Sequence, residues 1–230
     1  MLIEIRPAAP AHPATPLRRR TTPVSAVLLL VLLAFGALTL AQPPLWTPES
    51  LAYAGSQGWS WRAVAWTFVH ADLLHLGGNL AVLCLLAPEV ERYLGSFGLL
   101  VALLAGHLGA LAMHLATHGS LVPIYGASGA AFAVIAYTAA ASWHLGADAR
   151  GRWSWALRPG TLLYVLVAAE ACRWVIGLVA GTTSGAAAHL GALVAGVLAS
   201  GVVHRRWPAA PTAAAARGSG AVRLPADVRG

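Results

Sequence analysis

Long apolar runs, separated by short polar segments, dominate the chain. Several runs reach the roughly 20 residues that a helix needs to cross a bilayer. The pattern therefore predicts an all-α membrane protein whose helices form a six-span bundle. The predicted spans are residues 24–41, 72–88, 96–117, 126–144, 160–179 and 186–204.

Polar tails flank this region of predicted spans. Residues 1–23 are rich in Pro and Arg and predict a flexible cytosolic tail. Residues 207–230 are rich in Ala, Pro and Gly, with too little apolar periodicity to build a core. We therefore predict one membrane domain over residues 24–206, between two cytosolic tails.

The composition supports a membrane protein over a soluble one. Of 230 residues, 58% are hydrophobic and only 10% are charged, whereas a soluble domain carries about 25% charged residues. There is too little polar surface to face water on all sides. Because the first apolar run is followed by many others, it is not a cleavable secretion signal.

The distribution of positive charge along the chain predicts its orientation in the membrane. The formal net charge of +7 comes wholly from arginine, and the arginines cluster between apolar runs, which favours membrane topology over nucleic-acid binding. If the N-terminus is cytosolic, only Arg62 falls in a segment predicted to lie outside. This positive-inside bias predicts that both termini are cytosolic and the span count even.

Cysteines and scattered histidines predict no metal or cofactor site. Cys84 and Cys172 both fall inside apolar runs and form no disulfide framework or metal-ligand spacing. We expect loop or interface positions for His70 and His118, and packing positions for His107, His114 and His144.

Four polar residues fall at a similar predicted depth near the outer leaflet. Ser128 lies at the start of span four, His189 near the start of span six, and His75 and Asn79 near the start of span two. All three spans run from outside to inside. Because polar groups in a membrane face the bundle interior or a water-filled cavity, we expect these four side chains to meet.

Small residues would let spans four and six approach closely. They are Gly129 and Ala133 on span four, and Ala188, Ala192 and Gly196 on span six. Residues of this size allow helix backbones to touch in a membrane.

The four polar residues suit acyl transfer. Ser128 becomes a nucleophile when a base takes its proton, and His189 has the pKa range for that. No carboxylate lies at a comparable depth in spans four or six, so we expect a dyad. Unpaired amides where a helix begins, and the Asn79 side chain, can stabilise an oxyanion. Alternatively, His75 and Asn79 only bridge spans two and four by hydrogen bonds.

Glu170 and Arg173 lie deep in span five, three residues apart. A charged pair in a membrane can mark an ion or proton path. A structural pair is favoured, because no second charged pair lies at that depth. With Glu170 roughly 15 Å below the outer boundary of a ~30 Å core, we expect it to affect stability and not catalysis.

Five short motifs occur in order along most of residues 61–196. They are Trp61-Arg62, His75-Leu76-Gly77-Gly78-Asn79, Glu91-Arg92-Tyr93-Leu94-Gly95, Gly126-Ala127-Ser128-Gly129, and the stretch from Ala188-His189 to Gly196. Together they resemble the rhomboid family of intramembrane serine proteases. Two departures are Ala192 in place of a usual Gly, and Phe132 where many members stack a Tyr on the histidine. Neither removes a catalytic group.

The resemblance implies a six-span serine endopeptidase that needs no cofactor. Ser128 would be the nucleophile and His189 the base. The oxyanion hole would comprise Asn79, His75, Ser128 and Gly126. Structural motif positions would be Trp61, Arg62, Glu91, Arg92, Gly129, Phe132 and Gly196. Expected partners are the bilayer and single-span membrane proteins cut near the outer face of a bacterial cell membrane, with no nucleic acid.

Two rival functions are a non-catalytic rhomboid-like protein that binds membrane clients, and a small transporter using Glu170 and Arg173. A protein that only binds would not need both Ser128 and His189, and no convincing internal repeat supports a transporter.

Overall fold

The computed structural model describes residues 21–41, 47–58, 60–144, 158–180 and 185–206, which are mostly helical. Across these segments there is no strand, only an isolated antiparallel bridge between Tyr53 and Ile124. Two 3₁₀ turns cover Gly55–Gln57 and Trp66–Phe68. The helices are α1 (Pro23–Leu40), α2 (Pro48–Leu51), α3 (Arg62–Ala65), α4 (Leu73–His118), α5 (Ser128–His144), α6 (Pro159–Ala180) and α7 (Ala186–Arg206).

The long helices follow the predicted spans. The bounds of α1, α5, α6 and α7 agree with the sequence prediction to within about two residues. By length and composition, Leu73–His118 and Ala186–His204 are apolar enough to cross a membrane, and Pro23–Thr39 and Ser128–Ser142 are shorter apolar helices. Six membrane crossings therefore remain a prediction. Residues 1–20 and 207–230, most of the predicted tails, lie outside the described residues.

The second and third predicted spans are the two arms of α4. Gly95 divides the helix with non-helical backbone angles, φ 81° and ψ 165°, a conformation that suits a residue without a Cβ. Each arm is about 33 Å long at 1.5 Å per residue, close to the thickness of a bilayer core. The expectation that the first arm ends at Pro88 was wrong, because a proline removes one helical hydrogen bond whereas Gly95 redirects the chain.

The second arm of α4 packs with α5 and α7 through small residues. A Cβ added to Gly106 would lie 2.5 Å from the carbonyl oxygen of Gly129, and one added to Gly196 would lie 2.6 Å from that of Ala133. The predicted close approach of α5 and α7 is thus present at Gly196 and Ala133. Gly129 faces α4 and not α7, which corrects its predicted partner.

Glu91 fixes the start of α1. Its carboxylate is 1% exposed and lies at the N-terminal end of α1, where a negative charge complements the helix dipole. It accepts hydrogen bonds from the amides of Val24 and Ser25 and from the hydroxyls of Ser25 and Ser96, at 2.7–3.0 Å. This buried carboxylate joins α1 to the first arm of α4.

The two motif arginines make local contacts. Arg62 lies over the ring of Trp61, with its Cζ 5.7 Å from the ring centroid. Trp61 itself is 58% exposed. Arg92 forms an ion pair with Glu89. These residues therefore belong to the periphery of the helix packing.

Candidate active site

Ser128 and His189 face each other across the contact between α5 and α7. Ser128 is the first residue of α5 and His189 lies in the first turn of α7. The Ser128 Oγ is 2.8 Å from the His189 Nε2, so the hydroxyl can donate its hydrogen to that nitrogen. The predicted contact between these two side chains is present.

Phe132 holds the plane of the His189 ring. It lies one turn after Ser128, and the two rings stack with centroids 4.2 Å apart and planes 13° from parallel. His189 is 6% exposed. Phe132 therefore makes the stacking contact expected at its position without the hydroxyl of a tyrosine.

The other ring nitrogen of His189 contacts Glu170. The His189 Nδ1 is 2.5 Å from the Glu170 Oε1, and the Glu170 side chain is 28% exposed. When the carboxylate is ionised it only accepts, so Nδ1 must hold the hydrogen. The Nε2 lone pair then faces Ser128, which is the tautomer that a base for the serine requires.

This contact corrects the expected depth of Glu170. The expectation counted residues from the ends of a predicted span and took the helix as upright. In the structure the Glu170 carboxylate, in the middle of α6, nevertheless contacts the His189 ring in the first turn of α7, which a tilt or axial offset of a helix allows. The Arg173 side chain lies outside the described residues. The sequence did contain one indication that Glu170 belongs to the site, because an ionisable residue within a membrane span is by default a candidate functional residue.

The loop that precedes Ser128 is fixed to the loop that precedes α4. Tyr53 and Ile124 exchange backbone hydrogen bonds of 3.1 and 2.8 Å, and the Gly126 amide donates to the Trp66 carbonyl at 3.0 Å. Because that amide is already engaged, the prediction that Gly126 supplies an oxyanion donor is not supported.

Gly126 instead makes room for His75. Its φ is 115°, in a region that L side chains rarely adopt. A Cβ at Gly126 would lie 2.7 Å from the His75 Cε1 and 2.8 Å from its Nε2. The His75 ring therefore lies against the backbone two residues before Ser128, as close as the absence of a side chain permits.

Asn79 is oriented by a histidine. It is 7% exposed, and its Nδ2 lies 3.0 Å from the His70 Nε2. The His70 Nδ1 donates to the Phe68 carbonyl at 3.1 Å, so Nε2 accepts from the Asn79 amide. Burial, with a smaller contribution from the charge of His75, lowers the pKa of His70 to about 4. His70 thus stays neutral and fixes one amide hydrogen of Asn79, leaving the second for another acceptor.

Comparison with known proteins agrees with this geometry. Residues 57–206 match the Rhomboid domain. The chain belongs to the rhomboid family. No curated protein matches the sequence. Rhomboids share a helical membrane fold and are mostly intramembrane serine proteases, although some members are inactive.

Sequence reasoning assigned His70 no role in the site of this rhomboid. It was expected in a loop or at the membrane interface, and it does lie in the loop before α4, but it is 0% exposed and contacts Asn79. No spacing could have shown this, because His70 precedes α4 and Asn79 lies within it, so no helical period relates them. Within the described part of the chain, no cluster of three or more His, Cys, Asp or Glu could hold a metal ion.

Proposed function

We propose that this rhomboid is an intramembrane serine endopeptidase that cuts transmembrane-helix substrates near the outer membrane face. The single observation behind the proposal is the 2.8 Å contact between the Ser128 Oγ and the His189 Nε2. A nucleophile in contact with its base is the arrangement that acyl transfer requires.

In the first step, the Ser128 Oγ attacks the carbonyl carbon of the scissile peptide bond. The hydroxyl proton moves to the His189 Nε2 as the new bond between oxygen and carbon forms. The electron pair of the carbonyl π bond moves to its oxygen, which becomes an oxyanion. His189 then returns the proton to the leaving amine as the peptide bond breaks.

Stabilisation of the oxyanion falls to donors near the start of α5. Asn79 has one amide hydrogen beyond the one it donates to His70. The Ser128 amide is at the start of α5, where helical amides have no intrahelical acceptor. The His75 ring lies against Gly126 at the same end of α5. Donors of this kind act most strongly on charge that develops in the transition state.

Release of the second product requires water. The first half of the reaction leaves the acyl part of the substrate as an ester on the Ser128 oxygen. A water molecule gives a proton to His189 as its oxygen attacks the ester carbon, and that proton then passes to the Ser128 oxygen as the bond from this oxygen to the carbon breaks, which releases the second product as a carboxylic acid. The polar residues of the site come from the predicted outer ends of their spans, so water would enter from the outer face. Both termini would be cytosolic, and the substrates would be single-span membrane proteins.

The test is cleavage of a single-span substrate, with small residues near its outer end, by protein reconstituted in lipid. Ser128→Ala and His189→Ala should each reduce cleavage to background, and a fluorophosphonate probe should label only proteins that retain Ser128 and His189. The matched control is Ser142→Ala, because Ser142 is a buried serine of α5 that donates to the Ala139 carbonyl, away from the site.

Cleavage that persists in Ser128→Ala would refute the protease proposal. A wild type that binds the substrate without cutting it, and takes up no probe, would support the non-catalytic client-binding function instead.

A further inference from the structure

We propose that Glu170 is a positioning residue for His189, so that the site works as a serine–histidine–glutamate relay in which Glu170 acts through His189 without taking its proton. The inference rests on the proposed protease function and adds a group that neither the motif spacing nor the resemblance to the family supplied. Its basis is the 2.5 Å contact between the Glu170 Oε1 and the His189 Nδ1.

The contact decides which edge of the His189 ring faces Ser128. Stacking on Phe132 fixes the ring plane. A half turn of the ring about its Cβ–Cγ bond leaves that plane unchanged, so stacking alone does not distinguish the two orientations. An acceptor on Nδ1 does distinguish them, since only one orientation places Nδ1 beside Glu170 and Nε2 beside Ser128.

The same contact compensates the charge that forms during attack. When the Ser128 O–H bond breaks, the proton goes to Nε2 and the ring becomes an imidazolium. The Nδ1 hydrogen stays on His189, and Glu170 stays an ionised carboxylate beside the new positive charge. Because this attraction is absent while the ring is neutral, it lowers the barrier without strengthening substrate binding.

If Glu170 had a purely structural role, its mutation would give a different result. α6 packs mainly against α5, and Leu162 near its start is buried in the core. If Glu170 served only to attach α6 to α7, its loss would lower the melting temperature and leave the turnover of folded protein intact. A relay predicts instead that the turnover of folded protein falls and that the melting temperature stays near the wild-type value.

The experiment measures kcat, KM and the melting temperature for reconstituted wild type, Glu170→Gln and Glu170→Asp. Glu170→Gln keeps the shape but loses the charge, and its amide N–H can donate to Nδ1 and favour the wrong tautomer. The comparable substitution in a soluble serine protease costs about 10⁴ in kcat. Because the Glu170 side chain is 28% exposed, we expect a smaller loss, about 10²-fold in kcat, with KM nearly unchanged.

Two further variants calibrate this result. Glu170→Asp keeps the charge on a shorter side chain and should recover part of the lost kcat. Glu89→Gln removes a carboxylate whose partner is Arg92, in the first arm of α4, and should leave kcat unchanged. A ¹⁵N spectrum of His189 should show the Nδ1–H tautomer in wild type and growth of the Nε2–H tautomer in Glu170→Gln.

The outcomes separate the relay from the protease proposal. An active wild type whose Glu170→Gln variant keeps full kcat, with or without a lower melting temperature, would overturn the relay alone. A wild-type ring in the Nε2–H tautomer would also overturn it. A wild type that neither cleaves nor takes up the fluorophosphonate probe would overturn the protease function and the relay together.

Discussion

Two sides of the candidate site are held in place by different forces. On one side, Ser128 and His189 belong to helices whose backbones touch, since Gly196 of α7 lies against Ala133 of α5. On the other side, hydrogen bonds orient the donors, because Asn79 depends on His70 for its direction. Packing sets the distance between nucleophile and base, and hydrogen bonds set the orientation of the oxyanion donors.

This difference predicts how each side responds to mutation. A packed backbone contact has no spare volume, so an added methyl group displaces a whole helix and costs about 1–3 kcal/mol of stability. A single hydrogen bond contributes only about 0.5–1.5 kcal/mol to stability. The same bond controls the position of a donor, and a misplacement of about 1 Å can cost 10²-fold in rate. We therefore expect stability defects on the packed side and rate defects on the hydrogen-bonded side.

Among variants that keep the catalytic side chains, Gly126→Ala should have the largest effect on rate. The new Cβ would be within 2.8 Å of two atoms of the His75 ring, and the φ of 115° is strained for alanine. Either the His75 ring or the backbone that leads to Ser128 must therefore move. We expect kcat to fall by about 10²–10³-fold, measured on reconstituted protein beside a melting curve.

Gly119→Ala is the matched control for backbone strain. Gly119 also has a positive φ, 75°, but nothing lies within 4 Å of its Cβ position. It should lower the melting temperature slightly and leave kcat near the wild-type value. An equal loss of kcat in both variants would assign the Gly126 effect to strain and remove the role of His75.

The two sides also differ in how far sequence could predict them. The apolar runs predicted the long helices, because span length depends only on local composition. The contact of Ser128 with His189 followed from depth, since both residues lie at helix starts that face the same way. The role of a motif glycine such as Gly196 could be predicted from the sequence, because a residue without a side chain lets two helices approach closely.

The polar contacts of His70 and Glu170 were not predictable in the same way. Each depends on the position of a segment in three dimensions, His70 on a folded loop and Glu170 on the placement of α6 along its axis. A residue count along an upright helix gives no tilt and no offset. Both side chains act through another residue, so no motif centred on reacting groups contains them.

Gly196→Ala should mainly lower stability, as expected of the packed side. A Cβ there would lie 2.6 Å from the Ala133 carbonyl oxygen and 3.0 Å from its Cα, so α5 and α7 must separate. We expect a loss of about 1–3 kcal/mol in unfolding free energy, with a smaller change in kcat per folded molecule than Gly126→Ala produces.

The control for Gly196 is Gly201→Ala on the same helix. Nothing lies within 4 Å of the Gly201 Cβ position, and alanine favours a helix over glycine by up to about 1 kcal/mol. Gly201→Ala should therefore be neutral or slightly stabilising. If both variants melt at the wild-type temperature, the contact at Gly196 does not limit stability.

His70 should have a smaller effect on rate than Gly126, and its variants test whether it orients Asn79. His70→Leu removes the acceptor for the Asn79 amide, so Asn79 loses its fixed direction, and we expect kcat to fall about tenfold. His70→Gln keeps a side-chain oxygen that can accept from Asn79 and should retain most of the activity. Equal activity in both variants would show that His70 does not orient Asn79.

The pH dependence of stability tests the burial of His70 independently of the rate. Its pKa is about 4 in the folded protein against 6.5 for an unperturbed histidine. Between these values the unfolded chain binds a proton that the folded chain refuses, so stability is fully present above pH 6.5 and is lost as the pH falls toward 4, by at most about 3 kcal/mol. His70→Gln should flatten this part of the melting profile. His118→Gln, which removes an exposed histidine, should leave the slope as it is in wild type. A slope as steep in His70→Gln as in wild type would mean that His70 is not held neutral beside Asn79.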